Sequence, residues 1–213
     1  MENNEYNDGR VVVPYDKDRK KITFYDTYVD MDGDIVRYDD IAVIQCGALN
    51  STSFIYVYYG KSFTYNFTFT TYDGTKHNFK RGGYAAYGIG NYKRIKEEYE
   101  VVSKPMYNIV INSVAERLIS RLESGAKVNI CGLEITRDKI VYEKKKKTIV
   151  IDRDNFQSAV SRPTYGNSLA QIFVKGEKRA VFQTVLTEPN ARLIVPIVNY
   201  FFAQTDNSNH LGK

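Results

Sequence analysis

Twice along this chain, a long stretch of period-two sequence gives way to one stretch of helical period, and few architectures accommodate that order. From Ile22 to Arg81 the residues are β-branched or aromatic and are broken at intervals by turn signals. The clearest strand is Phe63 to Thr71. Phe63, Tyr65, Phe67 and Phe69 share one parity and Thr64, Asn66, Thr68 and Thr70 the other, so one face is a core face and the other meets water. An aromatic stripe of this kind could also stack nucleic-acid bases, but strict alternation with threonine is what a half-buried strand requires, and nucleic acid is not an expected partner. Asp73-Gly74 predicts a tight turn with positive φ at both positions, and Lys76 to Lys80 the return strand. The segment Gly82 to Gly90 reads as a connection. From Pro105 onward Met106, Ile109, Val110, Val114, Leu118, Ile119 and Leu122 recur at threes and fours, which predicts a helix capped by Ser103 and stopped at Gly125.

The plan then repeats. Val128 to Thr136, Lys139 to Glu143, Thr148 to Asp152, Ala170 to Val174 and Arg179 to Leu186 read as strands, and Thr187-Glu188-Pro189 opens a second helix running to about Ala203. Ser103-x-Pro105 and Thr187-x-Pro189 read as the same helix start. Ile22 to Tyr25 corresponds to Leu133 to Thr136, and Tyr38-Asp39-Asp40-Ile41 to the stretch from Asp152 to Phe156. The expected class is α+β: two tandem domains, each a bent antiparallel sheet or partly open barrel capped by a C-terminal helix. The expected divisions are a polar N-terminal segment 1–20, domains 21–125 and 126–204, and a flexible tail 205–213. A single mixed domain is the alternative.

Several residues carry a family resemblance. Tyr38-Asp39-Asp40-Ile41, the strand Lys61 to Thr71 leading to Asp73-Gly74, Arg121-Leu122-Glu123-Ser124-Gly125, Gly132-Leu133-Glu134-Ile135 and Glu188-Pro189-Asn190 together resemble an uncharacterised bacterial family of tandem pleckstrin-homology-like (PH-like) proteins. The resemblance spans about residues 20–204. It implies a seven-stranded bent sheet closed at one end by a helix in each half, and it brings no catalytic residues.

The rest of the sequence narrows function mainly by exclusion. With His77 and His210 as the only histidines, and no phosphate-binding loop or nucleophile elbow, no enzyme, cofactor or metal is expected. Gly88-Ile89-Gly90 opens like a dinucleotide fingerprint, but Lys93 stands at the third glycine. Cys46 and Cys131 stand alone in strand-like segments, which is neither a disulfide framework nor a metal site. The longest apolar run, Leu193 to Ala203, is interrupted by Pro196 and Asn199 and falls short of the roughly 20 apolar residues that span a bilayer. Met1 to Asp8 is polar and acidic, so no secretory leader is expected and a cytoplasmic location is.

Charge is uneven. Residues 1–125 hold 16 Lys and Arg against 17 Asp and Glu, net −1, and residues 126–213 hold 14 against 8, net +6. Two turns sharpen the contrast. Asp30, Asp32 and Asp34 make an acidic turn; it opens like a calcium loop, but Ile41 occupies the place of the closing Glu. Lys144, Lys145, Lys146 and Lys147 occupy what reads as the equivalent turn of the second copy, either as a solvated loop or as a site gripping phosphate on an anionic lipid surface or a nucleic acid. The final helix is apolar around most of its circumference through Leu193, Ile194, Ile197, Val198, Phe201 and Phe202. Either it packs on the other copy or these residues form an interface in a homo-oligomer. The expectation is a non-catalytic interaction module for a protein or peptide partner, with an anionic membrane surface or phosphorylated ligand as the alternative.

Overall fold

Alternation and turn chemistry organise the first half. The computed structural model describes residues 11–13, 21–55, 58–164 and 167–203. Strands β1 (Val11–Val13), β2 (Ile22–Phe24), β3 (Tyr28–Met31) and β4 (Asp34–Arg37) form an antiparallel meander. β1 lies in the stretch read as a polar N-terminal segment, and its three valines pair with β2. A single 3-10 turn, Tyr38–Asp40, leads to a second sheet of β5 (Ile41–Ile55), β6 (Tyr58–Thr71), β7 (Lys76–Ala86) and β8 (Ile89–Gly90). In β6 the aromatic parity is buried as alternation demands: Phe63, Tyr65, Phe67 and Phe69 all belong to the core.

The β6–β7 turn is longer than a two-residue hairpin. Thr71 N–H donates to Thr75 O at 3.0 Å and Gly74 N–H to Thr71 O at 2.9 Å, which encloses three residues. Among the described residues of this loop only Gly74 takes positive φ, at +86°. Asp73 instead uses its carboxylate, accepting from Thr71 Oγ1 at 2.5 Å and Thr75 N at 3.0 Å. The Thr71 hydroxyl, followed by the Thr75 amide, holds this carboxyl below its ordinary range.

The segment Gly82 to Gly90 is not a connection. β7 continues through it to Ala86, and a turn at Tyr87-Gly88 returns the chain as β8. The glycines serve packing: a Cβ on Gly83 would stand 2.7 Å from Ile95 Cγ1 and 2.9 Å from Asn91 O. A helix therefore lies directly on this strand, and it begins at Tyr92 rather than Pro105. Helix α1 (Tyr92–Pro105) runs through a π-helical segment, Met106–Ile111, into α2 (Asn112–Glu123). Pro105 sits inside the helix, where it deprives Val101 of a donor, and the wider π turn follows directly after it. Ser103 caps nothing; its hydroxyl donates back to Glu100 O at 3.3 Å. The C-terminus ends where expected, with Gly125 at φ +89° and Ala126 N–H reaching Arg121 O at 3.0 Å in a Schellman closure.

Hydrogen bonds through Glu98 and Arg117 fix this helix to its sheets. Tyr65 donates to Glu98, which also receives Arg81 Nε at 3.3 Å. Burial and then Glu98 push the Tyr65 phenol well above its ordinary range. Arg117 donates to the carbonyls of Tyr38 and Ile41, clamping α2 to the junction of the two sheets.

The second half repeats the order. β9 (Val128–Ile130), β10 (Leu133–Ile135), β11 (Lys139–Lys144) and β12 (Lys147–Asp152) form one antiparallel sheet, and β13 (Phe156–Thr164), β14 (Asn167–Val174) and β15 (Phe182–Val185) another. β13 is a strand that the sequence reading did not mark. Helix α3 (Ala191–Phe202) closes the half. It starts after Asn190, so Ser103-x-Pro105 and Thr187-x-Pro189 do not occupy equivalent helix starts. The fold is thus mixed α+β, with open antiparallel sheets and no closed barrel among the described residues.

α3 packs inside the chain, the first of the two arrangements open to it. Leu193, Ile194, Ile197, Val198, Phe201 and Phe202 are all buried within the chain, because α3 lies between α2 of the first half and β13 and β14 of the second. They offer no free surface to another molecule. One contiguous apolar core runs through both halves. Among the described residues no helix is long and apolar enough to cross a membrane.

Replacing Gly83 with valine forces a branched side chain into Ile95 and the Asn91 carbonyl, and overpacking of this kind costs about 1–3 kcal/mol. The urea midpoint of Gly83→Val, followed by far-UV circular dichroism, is expected to fall accordingly.

Candidate functional site

β5 is the outermost strand of its sheet, and its register decides which of its backbone groups face away. From Val43↔Thr70 to Ile55↔Tyr58 the pairing with β6 is unbroken, so odd-numbered residues bond to β6 and even-numbered ones point their N–H and C=O outward. Near the start of the strand, the second half meets those outward groups. Ile44 N–H donates to Asn190 Oδ1 at 2.8 Å, and Asn190 N–H returns a bond to Ile44 O at 2.8 Å. Asn190 Nδ2 donates to Ala42 O at 3.3 Å and Arg192 Nη2 to Cys46 O at 3.4 Å. Asn190 achieves this at φ +60°, a conformation that asparagine tolerates better than most residues. Its amide copies the donor and acceptor of a neighbouring strand.

Beyond Cys46 the edge is open. Among the described residues nothing pairs with the outward backbone groups of Ala48, Asn50, Thr52 and Phe54. The stretch Ala48 to Phe54 contains no charge and no proline, the usual devices that keep an edge from pairing. Leu49 is 64% exposed and Phe54 72%. The Cys46 thiol beside it is buried, and burial pushes it up to about 12 against the opposing pull of Arg192.

The second feature is a basic cleft of about 680 Å³ in the second half, lined by Lys144, Arg162, Arg179, Tyr142, Phe173 and Gln183 among others. Glu143 is the one carboxylate in its lining. Lys144 Nζ donates to Val181 O at 2.9 Å, and the Arg162 guanidinium lies 5.2 Å from the centre of the Phe173 ring. The lysine run is therefore divided. Lys144 joins the cleft, Lys145 and Lys146 take φ of +50° and +64° to make the tight turn, and Lys147 pairs opposite Lys144 on β12. Sequence reading missed Arg162 and Arg179. They come from β13 and from the segment before β15, and no local pattern joins them to the lysines.

The acidic turn is where the sequence places it, between β3 and β4 at the position equivalent to the lysine turn. Its carboxylates serve separate partners: Asp30 Oδ1 accepts from Gly33 N–H at 2.7 Å and Asp34 meets His77 Nδ1 at 2.8 Å. The latter contact ties β4 of one sheet to β7 of the other. Among the described residues no three His, Cys, Asp or Glu side chains gather as a metal site.

No protein-family model matches the chain, and no curated protein matches it either.

Asn190 is the joint between the halves. Asn190→Ala removes two side-chain hydrogen bonds at about 1 kcal/mol each and adds left-handed strain of about 1–2 kcal/mol, so a loss of about 3–4 kcal/mol is expected. Asn190→Gly, free of the strain, should fall between wild type and alanine in equilibrium urea unfolding.

Proposed function

We propose that this chain is a non-catalytic interaction module of two tandem PH-like domains that receives an extended segment of a protein or peptide partner along the open edge of β5. The domain reading is supported by the element order, in which a four-stranded sheet, a second sheet and a helix occur twice. It is supported also by the equivalent turns at Asp32-Gly33 and Lys145-Lys146. In PH-like folds the groove between helix and neighbouring strand is a common peptide site. Along β5 the outward groups of Ala42 to Cys46 are already met by Asn190 and Arg192, so the partner is directed further along the same strand.

One observation carries the reading: an uncharged strand edge with open backbone groups from Ala48 to Phe54, flanked by exposed Leu49 and Phe54. Strand addition draws affinity from main-chain bonds and selectivity from alternate side chains, and this edge offers both. Thr52→Pro deletes an outward N–H without touching the bonds to β6. A phage-displayed library of linear peptides selected on the wild-type chain should yield binders that lose at least about tenfold in affinity on Thr52→Pro, or about 1.4 kcal/mol. Selected peptides that bind both proteins equally would overturn the reading.

A second reading is favoured by the cleft, where cations from three separate elements, Lys144, Arg162 and Arg179, line one concavity with a single carboxylate. Such a site suits phosphate groups on a lipid surface or a soluble ligand. Co-sedimentation with phosphatidylserine vesicles should exceed that with phosphatidylcholine and fall for Arg162→Ala with Arg179→Ala. Equal sedimentation of the wild type with both vesicles would sink this reading.

A further inference from the structure

The chain itself fixes both ends of the open edge. Toward the start of β5, the outward carbonyl of Cys46 is taken by Arg192 at 3.4 Å, and at the other end the strand stops at Ile55. The outward groups between them belong to Ala48, Asn50, Thr52 and Phe54, a set symmetric about Ser51. We infer that the strand received there is the same stretch of a second copy, antiparallel and related by a two-fold axis through Ser51. This inference rests on the strand-addition reading and names its partner.

The register follows from geometry. In an antiparallel pair, residues whose backbone groups face the partner lie opposite one another, so even residues must meet even ones. Only the register with Ser51 opposite Ser51 engages all four open residues on both copies, placing Ala48 opposite Phe54 and Asn50 opposite Thr52. A shift of two residues one way calls on Cys46, whose carbonyl is occupied, and the other way leaves Ala48 unpaired. A two-fold axis also closes the assembly, because each edge is consumed by its equivalent.

The side chains fit the same register. It sets Leu49 opposite Ser53 and Phe54 opposite Ala48, so each large exposed apolar group meets a small residue instead of its own copy. Ala48 is itself partly buried against the core, so the Phe54 ring of the second copy extends that core. With no ionisable residue between Ala48 and Phe54, two edges of a chain of net charge +5 meet without like charges opposed across the seam.

Ser51 opposite Ser51 is a non-hydrogen-bonded pair, with Cα atoms about 4.5 Å apart and within disulfide reach. In the full chain carrying Cys131→Ser, mild oxidation of Ser51→Cys is expected to give a covalent dimer, whereas Thr52→Cys, opposite Asn50, gives little. Sedimentation equilibrium should show a wild-type dimer whose dissociation constant rises at least about tenfold in Thr52→Pro. Phe54→Glu, which leaves the backbone intact, is expected to weaken it likewise and serves if the proline variant misfolds. A wild-type chain that stays monomeric at millimolar concentration overturns the second copy as partner. So does a dimer that neither variant weakens, or one that Ser51→Cys fails to trap. If the chain is monomeric while selected peptides still bind and are lost on Thr52→Pro, the strand-addition reading stands without the dimer. If peptide binding is insensitive to Thr52→Pro as well, both fail.

Discussion

The burial of α3 is the constraint on which the rest of the structure depends. Leu193, Ile194, Ile197, Val198, Phe201 and Phe202 leave the helix almost no polar face, so one sheet cannot cover it. The solution is to wedge it between α2 and the sheet of its own half. That placement brings Asn190 and Arg192, at the start of the helix, against the edge of β5, where they complete hydrogen bonds that the first half cannot make alone. The two halves therefore share one core and one seam.

The same seam divides β5 into two parts with different fates. Its first part is sealed by a side chain acting as a strand, and the outward backbone groups of its second part find no partner among the described residues of the other half. Edge strands are ordinarily protected by charge, proline or cover, and the sealed part has cover. The open part, Ala48 to Phe54, has none of these among the described residues, yet it carries two well-exposed large apolar side chains. A strand so long and so little protected makes physical sense as a surface for pairing.

Charge separates the halves in a second way. The equivalent hairpins hold aspartates in one half and lysines in the other, and tertiary structure treats them differently. Asp34 is paired with His77 at the surface, while Lys144 is turned toward a cleft with Arg162 and Arg179. Lys145 and Lys146 both adopt positive φ, which Gly, Asn or Asp accept more readily, so turn geometry does not account for lysine at either position.

Much of the secondary structure was legible because it follows from local periodicity. The burial of Phe63, Tyr65, Phe67 and Phe69, the stop at Gly125, the position of both charged turns and the doubled order of elements all follow from residues close in sequence. The start of α1 was not legible. Its apolar residues Ile95, Tyr99 and Val102 are thinly spread among charges, and Pro105 imitates a helix start. Gly82 to Gly90 imitated a loop, because a glycine that admits a helix above a strand has the same letter as one that makes a turn. The sequence alone determined that strands would precede each helix and that α3 needed cover on more than one side. Only the tertiary structure decided that α3 finds its cover inside the chain, that Arg162 and Arg179 join Lys144, and that Asn190 seals one part of β5 and leaves the next open. Those outcomes depend on contacts between residues far apart in the chain, and no local pattern encodes which distant surface reaches which edge.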